Sequence, residues 1–133
     1  MAERRWRLLL VDDDDDLRVS LAEALEESGF AVVQAENGQR ALALLESERP
    51  DLVLLDLLMP VLNGWQFCQA KERNPATAAI PVIAMSAAVS KDPDSPYFID
   101  VDDFIAKPVE LDELLDKIAG FTKGTQTERH SEL

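Results

Sequence analysis

Leu52-Val53-Leu54-Leu55-Asp56 decides how the rest of the chain is read. It is apolar at successive rather than alternate positions, the pattern of a strand covered on both faces, and it closes on a carboxylate. Such a strand belongs in the middle of a parallel sheet. Upstream, Leu8-Leu9-Leu10-Val11 is a second run of the same kind and closes on Asp12 and Asp13. If both runs are strands of one parallel sheet, their carboxyl ends lie side by side and three carboxylates converge on one crevice. At roughly 4 Å and an effective dielectric of about 20, each like-charged pair costs on the order of 4 kcal/mol. The cluster therefore implies a bound cation, an uptake of protons, or both.

Working outward, Leu17, Leu21, Ala24 and Leu25 step as one face of a helix, with the preceding aspartates as cap and Gly29 as stop. Ala31-Val32-Val33 reads as a strand, and after Asn37-Gly38 a helix carries Ala41, Leu42, Leu44 and Leu45 as far as Pro50. After Asn63-Gly64 a third helix is expected from about Trp65 to Arg73. Pro81 to Met85 reads as a fourth strand ending at Ser86, and Phe104-Ile105-Ala106 as a fifth ending at Lys107-Pro108. A last helix, with Leu111, Leu114, Leu115 and Ile118 on one side, is expected to stop near Gly120. Five βα repeats specify an α/β fold of three layers, a parallel sheet with right-handed crossovers and helices on both faces.

A chain of 133 residues fits one domain with one core. The net charge of −13 opposes direct binding to nucleic acid or to anionic membrane. No apolar stretch approaches the roughly 20 residues that span a bilayer, and the start of the chain does not read as a signal peptide. The expected location is cytoplasmic, without membrane insertion. The lone Cys68 cannot form an internal disulfide and is expected to be a small, half-buried helix residue. Residues 122–133 are polar and patternless, and are expected to form a disordered tail in which His130 is no ligand.

In a fold of this type ligands bind beyond the carboxyl ends of the strands. The first, third, fourth and fifth strands end in Asp12-Asp13, Asp56, Ser86 and Lys107. Carboxylates are hard oxygen ligands suited to Mg2+, which keeps several waters and takes one or two protein carboxylates. One aspartate is then free to attack a phosphoryl group, with a lysine to offset charge on its oxygens and a serine hydroxyl to donate to one of them. Asp56, at the end of the most buried strand, is the expected acceptor.

These residues resemble the receiver domain of two-component response regulators, of the kind that regulate chemotaxis. The resemblance covers about residues 7 to 121. It rests on Val11-Asp12-Asp13, on Leu55-Asp56-Leu57-Leu58-Met59-Pro60 continuing to Asn63-Gly64, on Met85-Ser86-Ala87, and on Phe104-Ile105-Ala106-Lys107-Pro108. It implies a flavodoxin-like (βα)5 fold of strand order 2-1-3-4-5, with a receiver domain over residues 1–121. It also implies roles: Asp56 as phosphoacceptor; Asp13, Asp56 and the Leu58 backbone carbonyl as ligands to Mg2+, for which Mn2+ can substitute, with Asp12 assisting through water; and Lys107 as the phosphoryl contact, its bond to Pro108 cis. Ser86 takes the family's switch position and Phe104 its coupled aromatic position. The implied partners are a histidine kinase or a histidine phosphotransfer protein upstream and an unidentified protein downstream, with homodimerisation left open. On this reading the chain is a single-domain regulator that promotes its own phosphorylation and dephosphorylation and turns over no separate substrate.

Three rivals are weaker. Asp12, Asp14, Asp16 and Glu23 match ligand positions of an EF-hand, but Leu17 stands where its sharp turn needs glycine, and a strand precedes the run instead of a helix. A magnesium phosphatase working through an aspartyl phosphate needs a second carboxylate two residues after the nucleophile, where this chain has Leu58. A pseudo-receiver that never takes up phosphate typically lacks an acidic or lysine position, and none is lacking here. Two departures from the family stand out. Pro93 and Pro96 shorten or disturb the expected fourth helix between Ala87 and Asp103, with Ser95 as its cap. Leu58 and Ala88 occupy positions whose side chains help place hydrolytic water in the family, and neither can hydrogen-bond, which implies a long-lived phosphoryl group.

Overall fold

The computed structural model describes residues 5–59, 62–86, 94 and 101–132. Its elements are β1 (Arg7–Val11), α1 (Asp15–Glu27), β2 (Ala31–Ala35), α2 (Gly38–Glu48), β3 (Leu52–Asp56), α3 (Gly64–Arg73), β4 (Val82–Met85), β5 (Asp103–Ile105) and α4 (Leu111–Glu132). The five strands form one sheet in the order β2-β1-β3-β4-β5, every pairing parallel. The fold is the parallel α/β sheet expected from the βα repeats, and the strand order is the one the resemblance implies.

Side-chain alternation explains why β3 is apolar throughout. Val53 and Leu55 enter a core built with Leu44 and Leu45 of α2 and Phe67 of α3. Leu52 and Leu54 enter a second core with Ala22 and Leu25 of α1 and Leu114 and Ile118 of α4. Each strand residue thus serves one of two helical layers, and all five residues of β3 are buried. Each of these leucines contributes roughly 2 kcal/mol by leaving water.

Local chemistry sets the boundaries. Asp14 caps α1 by accepting from the Leu17 amide at 3.1 Å, and Gly29 takes the positive φ of 105° that ends it. Asn63 opens α3 through a capping box with Gln66. The amide of Gly64 donates to the Leu57 carbonyl at 3.0 Å, and a Cβ there would come within 2.7 Å of the Leu57 Cα. Glycine is needed at that point because the chain leaving β3 lies directly against the start of α3.

Three expectations change. β5 begins at Asp103, one residue early, because pairing with β4 starts at Ile83 opposite Asp103, and the Asp102 carboxylate anchors the approach by accepting from the Val82 amide at 2.8 Å. On α1, Ala22 and Leu25 are buried, Leu21 and Ala24 are half-buried as expected and Arg18 is drawn in with them, while Leu17 is exposed. The last helix does not stop near Gly120 but continues to Glu132. No proline follows to break it, and glycine within a helix costs only about 1 kcal/mol. The expected short helix between Ala87 and Asp103, with Pro93, Ser95 and Pro96, lies outside the described residues apart from Asp94 and Val101 to Asp103. Among the described residues, no helix is long and apolar enough to cross a membrane.

Candidate functional site

Register places the site. Val11 pairs with Leu55, so Asp12, one residue on, comes level with Asp56. Asp56 pairs with Met85, so Ser86 lies just beyond it, and Met85 pairs with Ile105, two residues before Lys107. The backbone ladder runs on past the strands, with the Leu57 amide donating to Met85 at 3.4 Å and the Ser86 amide to Ile105 at 3.2 Å. Side chains distant in sequence are therefore held on one rim by backbone hydrogen bonds rather than by flexible loops.

On that rim, carboxylate oxygens of Asp12, Asp13 and Asp56 lie within 4.8 Å of one another. Asp12 and Asp56 are buried, 1% and 3% exposed, and Asp13 is open to solvent. Lys107 Nζ reaches between the two buried carboxylates, 3.2 Å from Asp12 Oδ2 and 3.4 Å from Asp56 Oδ2. The Lys107–Pro108 bond is cis, as the resemblance implies. Ser86 is buried, and Phe104 is half-buried against the core shared with α2 and α3.

Electrostatics follows from this packing. Burial raises the Asp56 carboxyl from 3.8 to about 6; the Lys107 ammonium opposes the rise, Asp12 adds to it, and the Leu58 amide, donating at 3.2 Å, opposes it again. Burial alone would lower Lys107, but Asp56 and Asp12 outweigh it and its pKa is raised. Near neutral pH Asp56 is ionised and Lys107 charged, leaving an excess of negative charge. An all-oxygen set with that excess suits a hard divalent cation, Mg2+ or Mn2+. Asp12, Asp13 and Asp56 are the side chains that would hold it.

A family model for the response regulator receiver domain matches residues 8–119. The chain belongs to the response regulator receiver domain family. This receiver is 36% identical over 122 residues to protein PilH of Pseudomonas aeruginosa, a match covering 89% of this chain and 98% of PilH. It is 33% identical over 132 residues to the DNA-binding dual master transcriptional regulator RpaA of a Synechocystis strain, covering 96% of this chain and 55% of RpaA. The receiver spans about half the length of the curated relatives it matches first. Among solved structures, a response regulator from Desulfuromonas acetoxidans superposes with a TM-score of 0.74 at 32% identity, covering 89% of this chain and 97% of that one.

Asp12, Asp13, Asp56 and Lys107 are close together on the rim, and strand register places Ser86 at the end of β4 and Phe104 on β5. Leu58 stands at the mouth with 58% of its surface exposed. Ala88 lies outside the described residues. Sequence reading missed Arg18, which is drawn into the turn after β1 and whose side chain is only 11% exposed. Arg18 continues the buried stripe of Ala22 and Leu25 by one turn toward the site, a stripe that only the packed helix reveals.

Proposed function

We propose that this receiver takes a phosphoryl group onto Asp56 from a phosphohistidine of a histidine kinase or histidine phosphotransfer protein, in a reaction dependent on Mg2+. The observation that carries the reading is the pairing of Lys107 with both buried carboxylates beside the exposed Asp13. An Asp56 oxygen forms the new P–O bond as the P–N bond to the partner's imidazole breaks, and the imidazole departs with that bonding pair. A bound divalent cation would neutralise charge on the phosphoryl oxygens. Lys107 offsets the remainder, and its present distance from Asp56 leaves it within reach of a group attached there. The Ser86 hydroxyl then turns toward a phosphoryl oxygen, Phe104 follows inward, and the surface around β5 is presented differently to a downstream protein. The receiver promotes its own phosphorylation and dephosphorylation and turns over no separate substrate.

Acetyl phosphate with Mg2+ provides the test. Intact mass should show one acid-labile phosphoryl group per chain, and none when the metal is chelated. No uptake would favour a pseudo-receiver, and sustained hydrolysis of a generic phosphoester would favour a phosphatase.

The exposed Leu58 bears on lifetime. Its side chain offers no hydrogen bond to orient a water beside Asp56, so the acyl phosphate should persist well beyond seconds. Leu58→Asn should shorten its half-life several-fold, about 1 kcal/mol in barrier, as measured by release of labelled phosphate. Equal half-lives in the two proteins would show that this side chain does not govern hydrolysis.

A further inference from the structure

Five successive aspartates, Asp12 to Asp16, run from the end of β1 into the first turn of α1 and supply two of the site's carboxylates, and only some of them face it. Arg18 sorts them. Its Nη1 donates to the Asp12 backbone carbonyl at 2.8 Å, its Nη2 lies 2.8 Å from Asp15 Oδ1, and its Nε donates to the Gln34 side chain at 3.1 Å. The Asp12 carbonyl belongs to the peptide unit from which Asp13 issues. The Asp12 amide on the other side is already fixed, donating to the Ala35 carbonyl at 3.1 Å, and the Asp12 carboxylate accepts from the Asp14 amide at 2.9 Å. Among the described residues, the guanidinium is the side chain that holds the carbonyl of the Asp12–Asp13 peptide. The guanidinium is held in turn by Gln34 of β2 and by Asp15 of its own helix.

We propose that Arg18 is a positioning residue for the cation site: by locking the Asp12–Asp13 peptide it aims the exposed Asp13 carboxylate at Asp56 and holds Asp15 aside. The inference rests on the reading that the three carboxylates bind Mg2+. It makes a prediction whose sign is opposite to that of simple electrostatics. Removing a positive charge from beside an acidic cluster should tighten cation binding by Coulomb attraction alone. Removing a positioning residue should weaken it, because groups that orient metal ligands are typically worth 10- to 100-fold in affinity.

The experiment is a calorimetric titration of the full chain with MgCl2 alone, accompanied by amide NMR spectra of the metal-free protein. Arg18→Ala should bind Mg2+ about tenfold more weakly, with amide shifts concentrated in Asp12 to Asp16. Arg18→Lys should not restore binding, since one ammonium cannot replace a fork that holds a carbonyl, a carboxylate and an amide together. Gln34→Ala, an exposed neutral change that takes no ligand from the site, should weaken binding two- to threefold, and it keeps the test valid if Arg18→Ala does not fold. Unchanged or tighter binding in the folded variants would overturn the role of Arg18. Failure of the wild type to bind Mg2+ would instead overturn the metal site itself, and the positioning role with it.

Discussion

Asp56→Asn should take up no phosphoryl group from acetyl phosphate, yet in metal-free buffer at neutral pH it should be more stable than the wild type. Both effects come from one buried carboxylate. Asparagine provides no anionic oxygen to attack phosphorus, so uptake detected by intact mass should vanish rather than decline. The stability gain comes from the cost of keeping Asp56 ionised, since its pKa is about 6 when folded and 3.8 as an ordinary carboxyl. A group whose pKa is raised by folding binds protons better in the native state, so its cost is present in full above pH 6 and is relieved as pH falls toward 3.8. Allowing for solvent access on the open side of the crevice, that cost is about 2 kcal/mol at neutral pH. For a domain of this size this corresponds to a melting-temperature gain on the order of 5 to 10 °C. The gain should be largest above pH 7 and should disappear near pH 4, and Mg2+ should reduce it by stabilising the wild type. Thermal melts across that range, with and without Mg2+, decide the matter; a gain that is constant with pH would mean that Asp56 is not the strained group.

Lys107→Met should slow phosphoryl uptake by on the order of 100-fold, the typical effect of losing one positioned donor to developing negative charge. Lys107 also helps keep Asp56 ionised, so its removal should move the Asp56 carboxyl above 6, visible in a carbon NMR titration of the aspartate carboxyls. The two contributions separate by pH. If Lys107 acted only on the ionisation of Asp56, uptake by the variant at pH 9 would match the wild type. If it also offsets charge on the phosphoryl oxygens, a large deficit should remain. Mg2+ binding should survive, because the change leaves all three carboxylates and makes the crevice more negative. A variant that phosphorylates at the wild-type rate would remove Lys107 from the chemistry.

Much of this molecule is legible in one dimension because parallel strands impose a simple rule. Short continuous apolar runs such as Leu52 to Leu55 are the pattern of a strand covered on both faces, and a polar residue closing such a run falls on the functional rim. Asp12, Asp13, Asp56, Ser86 and Lys107 could therefore be named together, and the resemblance to receivers added their roles. Arg18 could not be found this way. A charge on a helix reads as solvated surface until the direction of the helix's inward face is known, and α1 is rotated from the face that Leu17 suggested. The continuation of α4 through Gly120 was missed because glycine is a frequent helix stop but only a mildly unfavourable helix residue.

Sequence alone determined the succession of the described strands and helices, the two-faced burial of β1 and β3, and which polar residues follow the strands at the rim, because these depend on hydrophobic periodicity and local capping. Tertiary structure decided which of five neighbouring aspartates share the crevice, how Lys107 divides itself between Asp12 and Asp56, and how far the Asp56 proton affinity rises. Those are properties of distance and desolvation between groups up to 95 positions apart in the chain, and only the closed sheet brings them into one low-dielectric space.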